Sequence, residues 1–173
     1  RLEEVAQKCR NSVCRLRTAD VADRTAMRKA VEEADACTPL DLVVANAGVA
    51  ADVECEENVR RTFDVNLGGV LNTVFPAIDC FSGRGRGSIA IVSSMTAYRG
   101  MASCPSYAAS KAAVKAWGAG LRGMLAERGI NVSVICPGFV ESGITAKNTF
   151  KMPFLMKSDK AAKIIMRGIE RNN

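Results

Sequence analysis

The chain has 173 residues, 48% of them hydrophobic and 24% charged, with a formal net charge of +6. These proportions describe a globular protein large enough to bury a core, and no apolar run of about 18 residues or more marks a membrane span. The sequence contains no histidine, which excludes Ser-His-Asp and Cys-His catalysis and the common zinc-finger spacings, so no metal site is expected.

Cysteines stand at 9, 14, 37, 55, 80, 104 and 136 with no Cys-x-x-Cys pair. A buried thiol behaves as a small hydrophobe, and this usage predicts a reducing, cytoplasmic compartment. The opening "RLEEVAQKCR" has neither a signal-peptide apolar segment nor an initiator Met, which suggests a chain that begins inside a longer one. Basic residues gather in "CRNSVCRLR" and at Lys157, Lys160, Lys163, Arg167 and Arg171. The second group repeats every three or four residues, as a solvated helix face does. No nucleic-acid module accompanies the charge, so neither nucleic acid nor membrane is expected as a partner.

In chain order, "SVCRLR" (12–17) reads as a strand and "DRTAMRKAVEEADA" as the helix after it. "LDLVVANAG" (40–48) is a continuous apolar strand ending in a turn, followed by a helical pattern from about Glu56 to Phe81. "GRGRG" (83–87) is the loop ahead of the strand "SIAIVSS" (88–94). A helix over 105–129 closes at Gly129, "INVSVICPG" (130–138) is a strand, and a last helix runs from about Lys157 to Arg171. The glycosylation-type triplet at 131–133 opens that apolar strand and is discounted. Strands apolar on both faces, separated by helices of ten or more residues, predict a doubly wound parallel α/β sheet covered on both sides. Such a sheet binds ligands beyond the carboxyl ends of its strands. Asp20-Val21, Asn46-Ala47-Gly48, Ser93-Ser94 and Pro137-Gly138 follow the four strands and should line one edge, beside the helix carrying Tyr107 and Lys111.

These residues resemble the short-chain dehydrogenase/reductase family in order and spacing. "TADVAD" is similar to its Asp-Val adenine site, "VVANAGV" to its Asn-Ala-Gly turn, and "FDVNLGG" to the segment carrying its active-site Asn, here Asn66. "IAIVSSM" resembles its catalytic-serine strand, with Ser94 thirteen residues before Tyr107; "YAASK" is its Tyr-x-x-x-Lys signature, and "VICPGFVES" its Pro-Gly nicotinamide segment. Tyr-x-x-x-Lys alone is weak, but together with the five other motifs in the right order it is strong. The resemblance runs from about residue 1 to 145 and implies one Rossmann-like domain over 1–173 that lacks the family's N-terminal glycine-rich segment.

It also implies an NAD- or NADP-dependent interconversion of a small-molecule alcohol and carbonyl. Tyr107 would be the general acid/base, Ser94 the donor to the developing alkoxide, and Asn66 and Lys111 the supporting pair. Asp20, Val21, Asn46, Ala47, Gly48, Tyr107, Lys111, Pro137, Gly138, Val140 and Ser142 would hold the cofactor. A free phenol titrates near ~10, so Lys111 one turn away is expected to favour the phenolate. Ala108 and Ala109 are expected to leave room for the cofactor. Met95, Tyr98 and Met101 suggest an apolar pocket, and Met152, Phe154, Leu155 and Met156 either core or a substrate cover.

"GAGLRG" (118–123) copies a dinucleotide fingerprint but lies inside a helix, where its glycines suggest close packing. The helices at 56–81 and 105–129 are apolar on more than one face, which predicts a homodimer or homotetramer. Two other readings stand beside the enzyme: a non-catalytic relative that keeps the fold for dimerisation and binds no cofactor, and a basic nucleic-acid-binding domain. Arg1 hints at a ribose-phosphate neighbour. In the resembling strand order 3-2-1-4-5-6-7, residues 12–17 and 40–45 would be the third and fourth strands. They are expected either to leave a gap of roughly 14 Å between them or to pair directly.

Overall fold

The computed structural model describes residues 2–9 and 12–171. Arg1, and Arg10 and Asn11 within the first basic run, lie outside the described residues. Three parallel strands, β1 (Leu42–Ala45), β2 (Gly87–Val92) and β3 (Ile130–Ile135), form a sheet in the order β1-β2-β3. The register sets Val43 beside Ile89 and Ile89 beside Val132. The connections are helical, as parallel neighbours require: α3 (Glu56–Phe63) and α4 (Gly69–Ser82) join β1 to β2, and α5 (Pro105–Ala126) joins β2 to β3. The helices α1 (Leu2–Lys8) and α2 (Arg24–Cys37) precede the sheet and α6 (Ser158–Glu170) follows it. Asp23 caps α2, its carboxylate accepting from the Thr25 and Ala26 amides. No helix among the described residues is long and apolar enough to cross a membrane.

One face of the sheet carries the core. Val43, Ala45, Ile89, Ile91 and Val132 pack against Val70, Val74, Ala77 and Phe81 of α4 and Val114, Leu121 and Leu125 of α5. Gly118 permits the approach of α5. A Cβ there would lie 2.6 Å from Val134 Cγ2 and 3.1 Å from Ile91 Cδ1. The fingerprint look-alike is thus a packing device at its first glycine, while Gly120 and Gly123 face open space. The other face is covered less evenly than expected: Ala90 and Ser133 are buried, but Val44 is 44% exposed.

Two further expectations are corrected. The strand at 12–17 does not form: residues 12–20 run without regular structure, with Val13 88% and Leu16 46% exposed. An alternating pattern becomes a strand only where a neighbour supplies backbone partners. Among the described residues β1 pairs with β2 alone. Neither a gap between two strands nor their direct pairing therefore occurs. The helix from 56 to 82 is not a uniform α-helix either. Residues Asp64–Gly68 wind as a π-helix between α3 and α4, with Asn66 at its centre. Such a widened turn inserts a residue into the helical register and is frequent at functional sites.

Candidate active site

Past the ends of β2 and β3 the ladder continues by two bonds. The Ser93 amide donates to Ile135 O at 2.7 Å and the Met95 amide to Pro137 O at 2.9 Å. These bonds hold the Ser94 strand end against Pro137-Gly138. Ser94 Oγ then accepts from the Thr96 amide at 3.2 Å, starting a short 3₁₀ turn over Met95–Tyr98. Met95 and Tyr98 stand outward, 56% and 64% exposed.

Helix α5 brings the remaining groups to this edge. Its 105–111 stretch is tied to the sheet by Ser93 Oγ, which donates to Lys111 O at 2.7 Å. Lys111 is 3% exposed, and its Nζ donates to Val92 O at 2.8 Å. Burial away from any counter-ion disfavours the ammonium and lowers its pKa to about 8. Tyr107 lies one turn earlier, with Ser94 beside its hydroxyl. Burial raises the phenol above its ordinary value; Ser94 opposes this and the Cys104 thiol adds to it. The expected lowering by Lys111 is thus not what the chain shows. Lys111 Nζ lies 5.8 Å from the centre of the Tyr107 ring and spends a donor on Val92 O.

Asn66 is fully buried, with both ends of its amide engaged. Oδ1 accepts from the Val49 amide at 2.8 Å, while Nδ2 donates to Val49 O at 2.9 Å and to Ser110 Oγ at 3.0 Å. Ser110 Oγ donates in turn to Tyr107 O at 2.8 Å. The widened helical turn aims Asn66 at both partners, which makes it the hub between the loop after β1 and the tyrosine helix. Gly48 completes the floor. A Cβ there would stand 3.2 Å from Asn66 Oδ1 and 3.4 Å from Lys111 Nζ, tighter than most side chains tolerate.

The other expected positions fall along the same side of the sheet. Asn46 and Ala47 are exposed just past β1. Asp20 caps its own turn by accepting from the Ala22 amide at 2.9 Å, and Asn72 Nδ2 holds Val21 O at 2.9 Å. Val21 packs on Gly69, where a Cβ would lie 2.7 Å from Val21 Cγ2. Val140 bridges to Met156, and Thr145 Oγ1 donates to Val140 O at 2.7 Å and accepts from the Ser142 amide at 2.8 Å. Ala108 is 3% exposed and packed, so only Ala109 leaves a clear surface. Phe154 is 95% exposed and Leu155 43%, so neither is core.

Sequence patterning does not single out Ser93 as an anchor, nor Ser110 at all. Its four-residue offset from Ser106 and its place beside Lys111 were the available signals.

The donors present suit a nicotinamide dinucleotide. Lys111 presents an ammonium with three N–H donors, one of them used on Val92 O. Gly48 admits the close approach of Asn66 and Lys111, and Asn46 and Ala47 lie open beside it.

Comparison with known proteins agrees. The family description "short chain dehydrogenase" matches residues 1–152. An uncharacterized oxidoreductase of Myxococcus xanthus is 39% identical over 156 residues, covering 88% of this chain and 61% of that protein. A 3-dehydrosphinganine reductase of Arabidopsis thaliana is 31% identical over 170 residues, covering 88% of this chain and 50% of that protein. The chain thus spans about half to three fifths of the length of these curated relatives. A gluconate 5-dehydrogenase from Burkholderia cenocepacia, solved with NADP and tartrate, superposes with a TM-score of 0.71 at 26% identity, over 76% of this chain and 55% of that one. ElxO with NADP bound superposes at 0.81 with 18% identity, over 96% of this chain and 76% of that one, a likeness of fold.

Proposed function

We propose, from the premise that this chain belongs to the short-chain dehydrogenase family, that it interconverts an alcohol and a carbonyl with NAD or NADP, with Tyr107 as the general acid/base. The observation that carries this reading is the meeting of Tyr107 and Ser94 at one strand end, with the buried ammonium of Lys111 one helical turn away. When bound, the dinucleotide supplies or accepts the hydride. In the reducing direction Tyr107 Oη gives its proton to the carbonyl oxygen while Ser94 Oγ donates a hydrogen bond to the developing alkoxide. In the oxidising direction the same oxygen takes the alcohol proton. A neutral phenol held above its ordinary pKa carries its transferable proton at neutral pH.

Asn66 fixes the first loop and Ser110, and so holds Tyr107 in place. Asn46, Ala47, Gly48, Lys111 and Tyr107 would meet the nicotinamide half of the cofactor, with Pro137, Gly138, Val140 and Ser142 across from them. Asp20 and Val21 would meet the adenine end. The 173 residues act as one domain in this reading. Phe75 and Met124, 50% and 61% exposed on α4 and α5, support pairing into a homodimer or homotetramer. No two described cysteines are joined by a disulfide, which fits a cytoplasmic setting.

Nicotinamide fluorescence during NADPH titration tests the reading. Saturable enhancement that is weakened at least about tenfold by Lys111→Ala supports it, since a lost charged hydrogen bond costs about 1.5–3 kcal/mol. A wild-type chain that leaves NADH and NADPH fluorescence unchanged contradicts it.

A further inference from the structure

Resting on the oxidoreductase reading above, we propose that Glu54 is a positioning residue for Tyr107, acting through Ser106. Helix α5 opens on Pro105, which has no amide proton, and its N-cap residue Cys104 makes no side-chain cap bond. The Ser106 amide is therefore the first donor of the helix that needs a partner from outside. Glu54 supplies it from another part of the chain. Its Oε1 accepts from the Ser106 amide at 3.2 Å and from the Ser106 hydroxyl at 2.7 Å. A carboxylate suits this place, because the amides of a helix N-terminus present partial positive charge. Ser106 is 4% exposed, so its hydroxyl would be costly to leave unsatisfied.

The loop that carries Glu54 is held at three points. Asn66 grips Val49 through both its amide and its carbonyl. Lys147 Nζ pairs with Asp52 at 2.6 Å. Glu54 then closes on Ser106. The loop braces the π-helical turn against the first turn of α5, and Tyr107 lies between two fixed neighbours, Ser106 held by Glu54 and Ser110 held by Asn66. The groups facing the phenol are Ser94 from the strand end, Cys104 from the helix start and Lys111 from the next turn. Glu54 reaches none of the reacting atoms and acts only through the backbone it holds.

The test uses the fact that the chain has two tyrosines. In a Tyr98→Phe background, ultraviolet phenolate absorbance reports Tyr107 alone. Fraying the first turn exposes the phenol, so Glu54→Ala should lower its titration midpoint by about half a pH unit or more, toward the ordinary value. Glu54→Gln keeps an acceptor oxygen without the charge, and should leave the midpoint within about 0.2 units of the parent. Ser106→Ala removes the shorter bond and should shift the midpoint the same way, which decides the matter if Glu54→Ala fails to fold by circular dichroism. An unmoved midpoint in the folded Ala variants overturns the proposal. So does an equal shift in Glu54→Gln and Glu54→Ala, which would make the effect one of charge. A parallel assay follows NADPH-driven reduction of diacetyl, where Glu54→Ala should lower kcat about tenfold with KM for NADPH within about twofold, and Glu54→Gln should restore it. A wild-type chain with no turnover on this or any other carbonyl defeats the oxidoreductase reading, while the titration still decides the role of Glu54.

Discussion

The two flanks of the sheet are built from similar alternating apolar segments but end in different states. On the β3 side, each strand end is carried forward by bonds to the next loop, and the polar groups of Asn66, Ser93, Ser110 and Lys111 are all engaged. On the outer side of β1, residues 12–20 lie exposed without regular structure and Val44 is 44% open. The difference teaches that apolar alternation is a condition for a strand, whereas pairing is what makes one. It also shows that the bonds engaging Asn66, Ser93, Ser110 and Lys111 are made within 49–135, without the outer flank.

Three substitutions sharpen that contrast. The largest effect on stability should come from Asn66→Ala, which strands the Val49 amide and carbonyl, removes one of the two partners of Ser110 Oγ and leaves a small cavity. We expect a loss of roughly 3–5 kcal/mol, read as a lower urea midpoint at unchanged slope. A loss under about 1 kcal/mol would show that the hub is dispensable.

Next is the pH dependence carried by Lys111. Its folded pKa of about 8 lies below the ordinary 10.5, so between those values the unfolded chain holds the proton that the folded chain has shed. Stability from this group is complete above about pH 10.5 and is lost as pH falls through about 8. Relative to Lys111→Met, the wild type should gain about 3 kcal/mol across that window. The raised pKa of Tyr107 works in the opposite sense, with stability lost as pH rises above about 10, and it is present in both proteins. A flat difference between wild type and Lys111→Met would mean that the buried ammonium is better solvated than its surroundings indicate. The smallest effect belongs to the outer flank: Leu16→Ser should change stability by less than about 0.5 kcal/mol. A larger loss would mean that residues 12–20 are packed after all.

Much of this was legible in the chain. The three formed strands and helices α2, α5 and α6 lie close to their expected bounds, because long periodic segments and their flanking turns are local signals. The grouping of Asn46, Ser94, Tyr107 and Pro137 along one side follows from the rule for parallel sheets. Other features depend on partners distant in sequence. The π-helical turn at Asn66 serves Val49 and Ser110, and Glu54 caps a helix that begins fifty residues later. The titration of Tyr107 turns on where Lys111 points: spacing places the two side chains one turn apart, but Val92 O decides where the ammonium goes. The segment 12–17 was misread for the same reason, since its sequence states a preference and the sheet supplies no partner for it.

The most direct test of the proposed catalytic edge is Tyr107→Phe, assayed for NADPH binding by fluorescence and for carbonyl reduction on the same preparation. Removing only the transferable proton should leave the NADPH dissociation constant within about twofold and lower turnover about 10²–10⁴-fold. Turnover within about tenfold of wild type would contradict the assignment of Tyr107 as the general acid/base.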